Sequence, residues 1–131
     1  MIHITNLPFP PSMNHRHIVF GGMMRKNPDH REFEARLRLF LLKDWYPEDG
    51  KELIGKKLSV DVIYEGPKTQ WYTKKGEIKK TDVDNRHKNL LDVVFPFFDL
   101  DDSQIFEINI KKIARDCLVE TSVTVCIEEL K

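Results

Sequence analysis

Asp82-Val83-Asp84-Asn85, then Lys88 and Asp92, then Asp101-Asp102-Ser103-Gln104, gather carboxylates, an amide and a lysine into one short stretch of the chain. Carboxylate oxygens are hard ligands suited to Mg²⁺ or Mn²⁺. A metal pair held by them can activate water and stabilise the leaving oxygen of a phosphodiester. Asp82 lies two residues before Asp84, so in an extended segment both side chains point the same way. The N-terminus of the helix expected to follow carries partial positive charge, which favours a bound phosphate. Asp101-Asp102 precedes a strand whose start could return to the same place. Carboxylates from two elements would then make the metal site, with Lys88 balancing their charge or contacting the phosphate under attack.

At about 100° per residue, Asp84, Lys88 and Asp92 sweep a stripe about 80° wide. Leu90, Leu91, Val94 and Phe95 fill the adjoining arc, so the charged stripe is expected at the rim of the core. Residue types alone also allow a plainer reading: an N-cap, two i,i+4 ion pairs (Asp84–Lys88 and Lys88–Asp92) and an Asp-rich turn. An EF-hand fits less well, because His87 stands at the sixth position, where that loop needs Gly.

Charge is segregated around this stretch. Lys plus Arg and Asp plus Glu are both 21, so the chain is neutral overall and is not a simple basic nucleic-acid coat. Between Gly66 and Lys80, however, Lys68, Lys74, Lys75, Lys79 and Lys80 face only Glu77. Between Asp82 and Glu107 seven acids face Arg86 and Lys88. A basic approach beside an acidic pocket suits a metal-dependent enzyme acting on a polyanion. Trp71 and Tyr72, set among the lysines, are expected to stack on unpaired bases while the lysines grip phosphates. Asn14 and Arg16, beside His15 and His17, read as a second phosphate-contact loop. A His-x-His metal site there lacks a third ligand.

The elements that position these groups follow from periodicity. Ile2 to Leu7 reads as a first strand, ended by Pro8, Pro10 and Pro11, with a loop from Ser12 to Met24. A helix starts near Asn27, with Pro28 first and Phe33, Leu37, Phe40 and Leu41 as its apolar stripe, either core or a dimer seam. Leu58 to Tyr64 alternates as a half-buried strand. Asn85 to Phe95 is a second helix limited by Pro96, and Ile105–Ile113 and Leu118–Ile127 are closing strands. The expected fold is α+β: a small mixed sheet with helices on one face, order β-α-β-α-β-β, in one domain spanning 1–131.

The 131 residues, 40% hydrophobic and 32% charged, describe a soluble globular domain. No apolar run approaches the roughly 20 residues needed to span a bilayer, and the start lacks a signal-peptide pattern, so a cytoplasmic location is expected. Cys117 and Cys126 read as small core or sheet residues in a reducing compartment. His3, His30 and His87 read as solvated or helix-surface residues.

The pattern Asp82-x-Asp84-Asn85-x-x-Lys88-x-x-x-Asp92 with Asp101-Asp102-Ser103-Gln104-Ile105 resembles the signature of RusA-type crossover junction endodeoxyribonucleases. Leu7-Pro8-Phe9-Pro10-Pro11-Ser12-Met13-Asn14 is similar to that family's first strand and following loop. The resemblance covers nearly the whole chain in element order. It implies a homodimer, often encoded by phages and prophages, that resolves four-way (Holliday) DNA junctions in recombination and repair with Mg²⁺ or Mn²⁺. It further implies metal ligands at Asp82, Asp84 and Asp102, with Asp101 in reserve, and Lys88 as an essential basic residue. Asn85 matches the family's amide, and Asp92 is left as a structural partner of Lys88. Arg86 and His87 depart from the family, in which apolar or neutral residues are common there, and Lys43 to Lys57 matches no assignable element.

The expected chemistry is metal-assisted hydrolysis of a DNA phosphodiester, with Lys88 neutralising charge on the phosphate. The rivals are a nuclease for flaps or other branched DNA, and a non-catalytic DNA-binding protein whose acids are structural.

Overall fold

A computed structural model of the chain describes residues 1–11, 17–20, 23–26, 28–79 and 86–131. Its main sheet has the order β1 (Ile2–Pro8), β6 (Ser122–Glu129), β4 (Leu58–Gly66), β5 (Ile105–Ala114). Only β4 and β5 run parallel; β1–β6 and β4–β6 are antiparallel. A parallel pair needs a long crossover, and here the crossover carries the lysine-rich segment and the second long helix.

Alternation sets which face is buried. Val60, Val62 and Tyr64 of β4 and Val123, Val125 and Ile127 of β6 are buried on one face. In β1, Ile2 and Ile4 point inward, and then the register shifts before Leu7. Asn6 takes φ 60 at that bulge, a conformation Asn tolerates better than most residues, and Leu7 is thereby returned to the core.

Two helices close the core. In α1 (Pro28–Asp44), Phe33, Leu37 and Leu41 form the buried stripe. α1 packs against the later α3 (Arg86–Phe97), which buries Leu90, Val94 and Phe95. Pro96 does not stop α3 but sits inside its last turn. The stop comes from Asp99 at φ 60: Leu100 N–H bonds Phe95 O at 2.8 Å and Asp99 N–H bonds Pro96 O at 3.1 Å. That is a Schellman ending with Asp in the place usually held by Gly.

The α+β class and mixed sheet agree with expectation, but the element order is fuller. Where a loop is expected from 12 to 24, β2 (His17–Phe20) pairs antiparallel with β3 (Met23–Lys26), which runs two residues beyond that segment. His17-Ile18-Val19-Phe20 is rich in strand formers, and Gly21-Gly22 follows it in the sequence. The lysine-rich segment opens with a one-turn helix, α2 (Lys68–Trp71). Pro47–Leu53 forms a 3-10 helix whose Gly50 lies so close to Phe98 that a Cβ there would meet Phe98 Cβ at 2.7 Å.

The last strand starts at Ser122 rather than Leu118, leaving Val119 91% exposed. Cys117 is an exposed free thiol rather than a core residue, and Cys126 is a half-buried free thiol in the sheet. His30, expected at the surface, is 1% exposed. It sits on the α1 face that meets α3, where Asn89 supplies a polar partner.

Candidate functional site

The Schellman ending of α3 sends the chain directly into Asp101 and Asp102, and this brings Asp102 back beside the helix it has just left. Asp102 lines a cavity of about 350 Å³ with Lys88, His87, Leu91, Asp92, Ile105 and Ile108. A second cavity of about 520 Å³ shares Leu91, Asp92 and Asp102 and adds Asp101. Lys88, Asp92 and Asp102 therefore share one groove between α3 and the start of β5, with all three side chains exposed. Asp92, expected to be only a structural partner of Lys88, belongs to the wall of this groove.

The two adjacent aspartates have different surroundings. Asp101 caps the 3-10 turn Asp102–Gln104: its Oδ1 accepts from Ser103 N–H at 2.8 Å, and its own N–H donates to Gln104 Oε1 at 2.8 Å. The Ser103 backbone N–H, with the Ser103 side chain, holds the Asp101 carboxyl below the usual carboxylate range. Gln104 Nε2 donates to the carbonyl oxygens of Leu53 and Lys56, both at 2.9 Å. The Asp-Asp-Ser-Gln run thus uses its first and last members to build and anchor a turn. Asp102 is carried on that turn into the groove.

The start of α3 is fastened to the segment after β1. Arg86 Nη1 donates to Pro10 O at 2.7 Å, and its guanidinium lies 4.7 Å from the centre of the Phe9 ring. Asn89 Nδ2 donates to Pro11 O at 2.7 Å, and its Oδ1 lies 3.3 Å from His30 Nδ1. Sequence reasoning missed Asn89 and His30. The available signal was an amide inside the apolar arc of α3 and an imidazole three residues before Phe33 on the apolar face of α1. Arg86, a departure from the family pattern, has a positioning contact here.

Tyr64 is fully buried below Arg86 and Phe9, with its ring 5.7 Å from Phe9. Its hydroxyl has no hydrogen-bond partner among the described residues. Burial pushes that hydroxyl well above the usual phenol range, and the Arg86 guanidinium pulls the other way.

The lysine-rich segment is ordered by backbone bonds. Tyr72 and Ile78 form an antiparallel bridge, and Lys79 N–H bonds Trp71 O at 2.8 Å. Lys68, Lys74, Lys75 and Lys79 are all exposed. Trp71 is not: at 3% exposure it donates Nε1–H to Ile113 O at 3.0 Å and supports the segment from beneath. That corrects its expected stacking role and leaves Tyr72, 42% exposed, as the accessible aromatic. Asn14, Arg16, Lys80, Asp82, Asp84 and Asn85 lie outside the described residues.

The family model for Endodeoxyribonuclease RusA matches residues 8–126. The chain belongs to the RusA endodeoxyribonuclease family. The matched span runs from the end of β1, through the lysine-rich segment and the groove, into β6. Membership in the RusA family implies a junction-resolving endodeoxyribonuclease. No curated protein matched the chain.

The RusA groove can be tested for its fit to a hard cation. Its exposed acids, Asp92 and Asp102, offer carboxylate oxygens, the donor type that suits Mg²⁺ or Mn²⁺. Among the described residues no three His, Cys, Asp or Glu side chains come together as a ligand set. The set expected from sequence takes two of its three members, Asp82 and Asp84, from outside those residues. No helix among the described residues is long and apolar enough to cross a membrane.

Proposed function

We propose that this chain is a divalent-metal-dependent nuclease that resolves four-way DNA junctions by hydrolysing a phosphodiester, using Asp82, Asp84, Asp102 and Lys88. The observation that supports it best is the shared groove of Lys88 and Asp102, which brings a cation from the start of α3 and an acid from beyond its end together. Asp82, Asp84 and Asp102 would hold Mg²⁺, or Mn²⁺ in its place. When bound, that ion supplies Lewis acidity, lowering the pKa of the attacking water and offsetting charge on the leaving oxygen. Asp101 has its own work as the cap of the turn, which favours Asp102 as the ligand of the pair.

Lys88 faces the phosphate and stabilises charge that develops in the transition state. Lys68, Lys74, Lys75 and Lys79, with Lys80, Asn14, Arg16 and Asn85, contact the backbone of the DNA arms. Separating a junction takes two cuts, so a two-fold homodimer presenting two sites is the matching assembly. The reaction serves recombination and repair, in a cytoplasmic and bacterial setting that includes phage or prophage genomes.

The test is a synthetic four-way junction incubated with wild type, Asp84→Asn and Asp102→Asn, with Mg²⁺ and with chelator. Cleavage is expected only for wild type with Mg²⁺, with junction binding largely retained by both variants. Cutting by Asp84→Asn, or cutting in chelator, overturns the assignment. Y-shaped and linear duplexes run alongside separate a junction resolvase from a flap nuclease.

A further inference from the structure

Another cavity, lined by none of the groove's residues, lies between the lysine-rich segment and the end of β5. It has a volume of about 760 Å³, and its surface is mostly apolar although Lys68, Lys74 and Lys79 stand around it. Tyr72 and Ala114 contribute to its lining, and Thr69 adds a polar edge. The volume is within the range of small-molecule sites, about 300–1,000 Å³.

The walls are built before any ligand arrives. Trp71 ties α2 to β5 through Ile113 O. Lys79 Nζ donates to Thr69 O at 2.8 Å, joining the two ends of the segment across the cavity. The turn between them is closed by Thr73 N–H to Glu77 O at 2.8 Å and by Gly76 at φ 82, where a side chain would be strained. A site held this way loses little freedom on binding.

An apolar floor edged by Lys68, Lys74 and Lys79, of which Lys68 also pairs with Asp116 at 3.7 Å, selects its occupant. A phosphate alone gains from the lysines and nothing from the floor. An uncharged apolar ligand gains from the floor and nothing from the lysines. A nucleotide unit uses both, its base lying on the floor and against the Tyr72 ring while its flanking phosphates meet the lysines.

We propose that the cavity between α2, Tyr72 and Lys79 takes a single base unstacked from a branched DNA substrate. This rests on the proposed nuclease function and adds a base-binding subsite to it.

The test scans abasic nucleotides, one position at a time, through the strands flanking the branch of a four-way junction. Binding is measured with Ca²⁺ replacing Mg²⁺. At one position, removing the base is expected to weaken wild-type binding about fivefold or more. The same removal is expected to cost Tyr72→Ala and Ala114→Leu little further, because those variants have already lost the stacking face or the floor. Ala114→Leu adds bulk to the cavity wall and leaves the Tyr72 ring in place, so the two variants fail for different structural reasons. If wild type binds and cuts the junction but no abasic position couples to either variant, the base subsite is wrong and the nuclease reading stands. If wild type neither binds nor cuts the junction, the nuclease reading itself fails and takes the subsite with it.

Discussion

Gln104 donates its side-chain amide to the carbonyl oxygen of Leu53 at 2.9 Å, fastening the turn that carries Asp102 to the end of a 3-10 helix 51 residues away. A second bond from the same nitrogen reaches Lys56 O at 2.9 Å. Each bond contributes about 1 kcal/mol net. Gln104→Leu also removes the acceptor of the Asp101 N–H, and it is therefore expected to lower stability by about 2–3 kcal/mol in urea unfolding. Cleavage at saturating junction should fall well beyond the folded fraction lost, because Asp102 loses its support. Unchanged cleavage by a destabilised variant would show that Asp102 needs no such anchor.

Asn89 and His30 are 0% and 1% exposed, and Asn89 links α1, α3 and the segment after β1. Asn89→Leu leaves the Pro11 carbonyl without this donor and His30 Nδ1 without its partner. The expected cost is about 3 kcal/mol, from desolvated polar groups at about 1–3 kcal/mol each. The double variant His30→Leu, Asn89→Leu should cost less than the two single losses added together, which denaturant titration of the four proteins would measure. Simple additivity would remove the link between the pair.

Tyr64 reverses the usual sign of a core substitution. Its buried hydroxyl has no hydrogen-bond partner among the described residues. Tyr64→Phe keeps the ring against Phe9 and deletes only that oxygen, so it should be neutral or stabilising by about 1 kcal/mol. A clear loss of stability would mean that the hydroxyl has a partner in solution. Raised stability with lost cleavage would assign the hydroxyl a part in the reaction.

The Asp101 cap gives a pH signature. Its carboxyl is held below the usual range chiefly by the Ser103 N–H, so the folded state favours the ionised form. That contribution is present above the ordinary carboxylate pKa, about 3.9, and is lost as pH falls through the lowered folded value. The Tm difference between wild type and Asp101→Ala should be constant near neutrality and shrink below about pH 4. A difference that holds through that window would exclude the ionised cap as its source.

Some elements were legible because their signals are local. Leu58 to Tyr64 alternates in the sequence and forms β4 from its first residue to two short of its last. Phe33, Leu37 and Leu41 recur at helical spacing and are buried as that spacing requires. The hairpin from 17 to 26 was not read, since His17 and Arg25 mask the alternation and a Gly-Gly pair also suits a loop. Pro96 was read as a stop, whereas a proline in a last turn forfeits only one bond. The stop is made by Asp99, whose left-handed backbone leaves no mark in a single sequence.

The sequence by itself determined the kind of chemistry: hard oxygen donors, one lysine and a basic approach, in a pattern whose spacing resembles one nuclease family. Those properties belong to side-chain types and short intervals, which the chain carries whether folded or not. Only the tertiary structure decided which of these groups meet. Asp102 shares a groove with Lys88 because the Schellman ending of α3 reverses the chain and Gln104 fastens the turn to Leu53. Asp101, chemically the same as its neighbour, is spent on the cap. Trp71, which read as a stacking surface, is turned inward by its bond to Ile113 O, leaving Tyr72 beside the lysines. Side chains of the same type differ in role through burial and hydrogen-bond partners, and both depend on contacts between residues far apart in the chain.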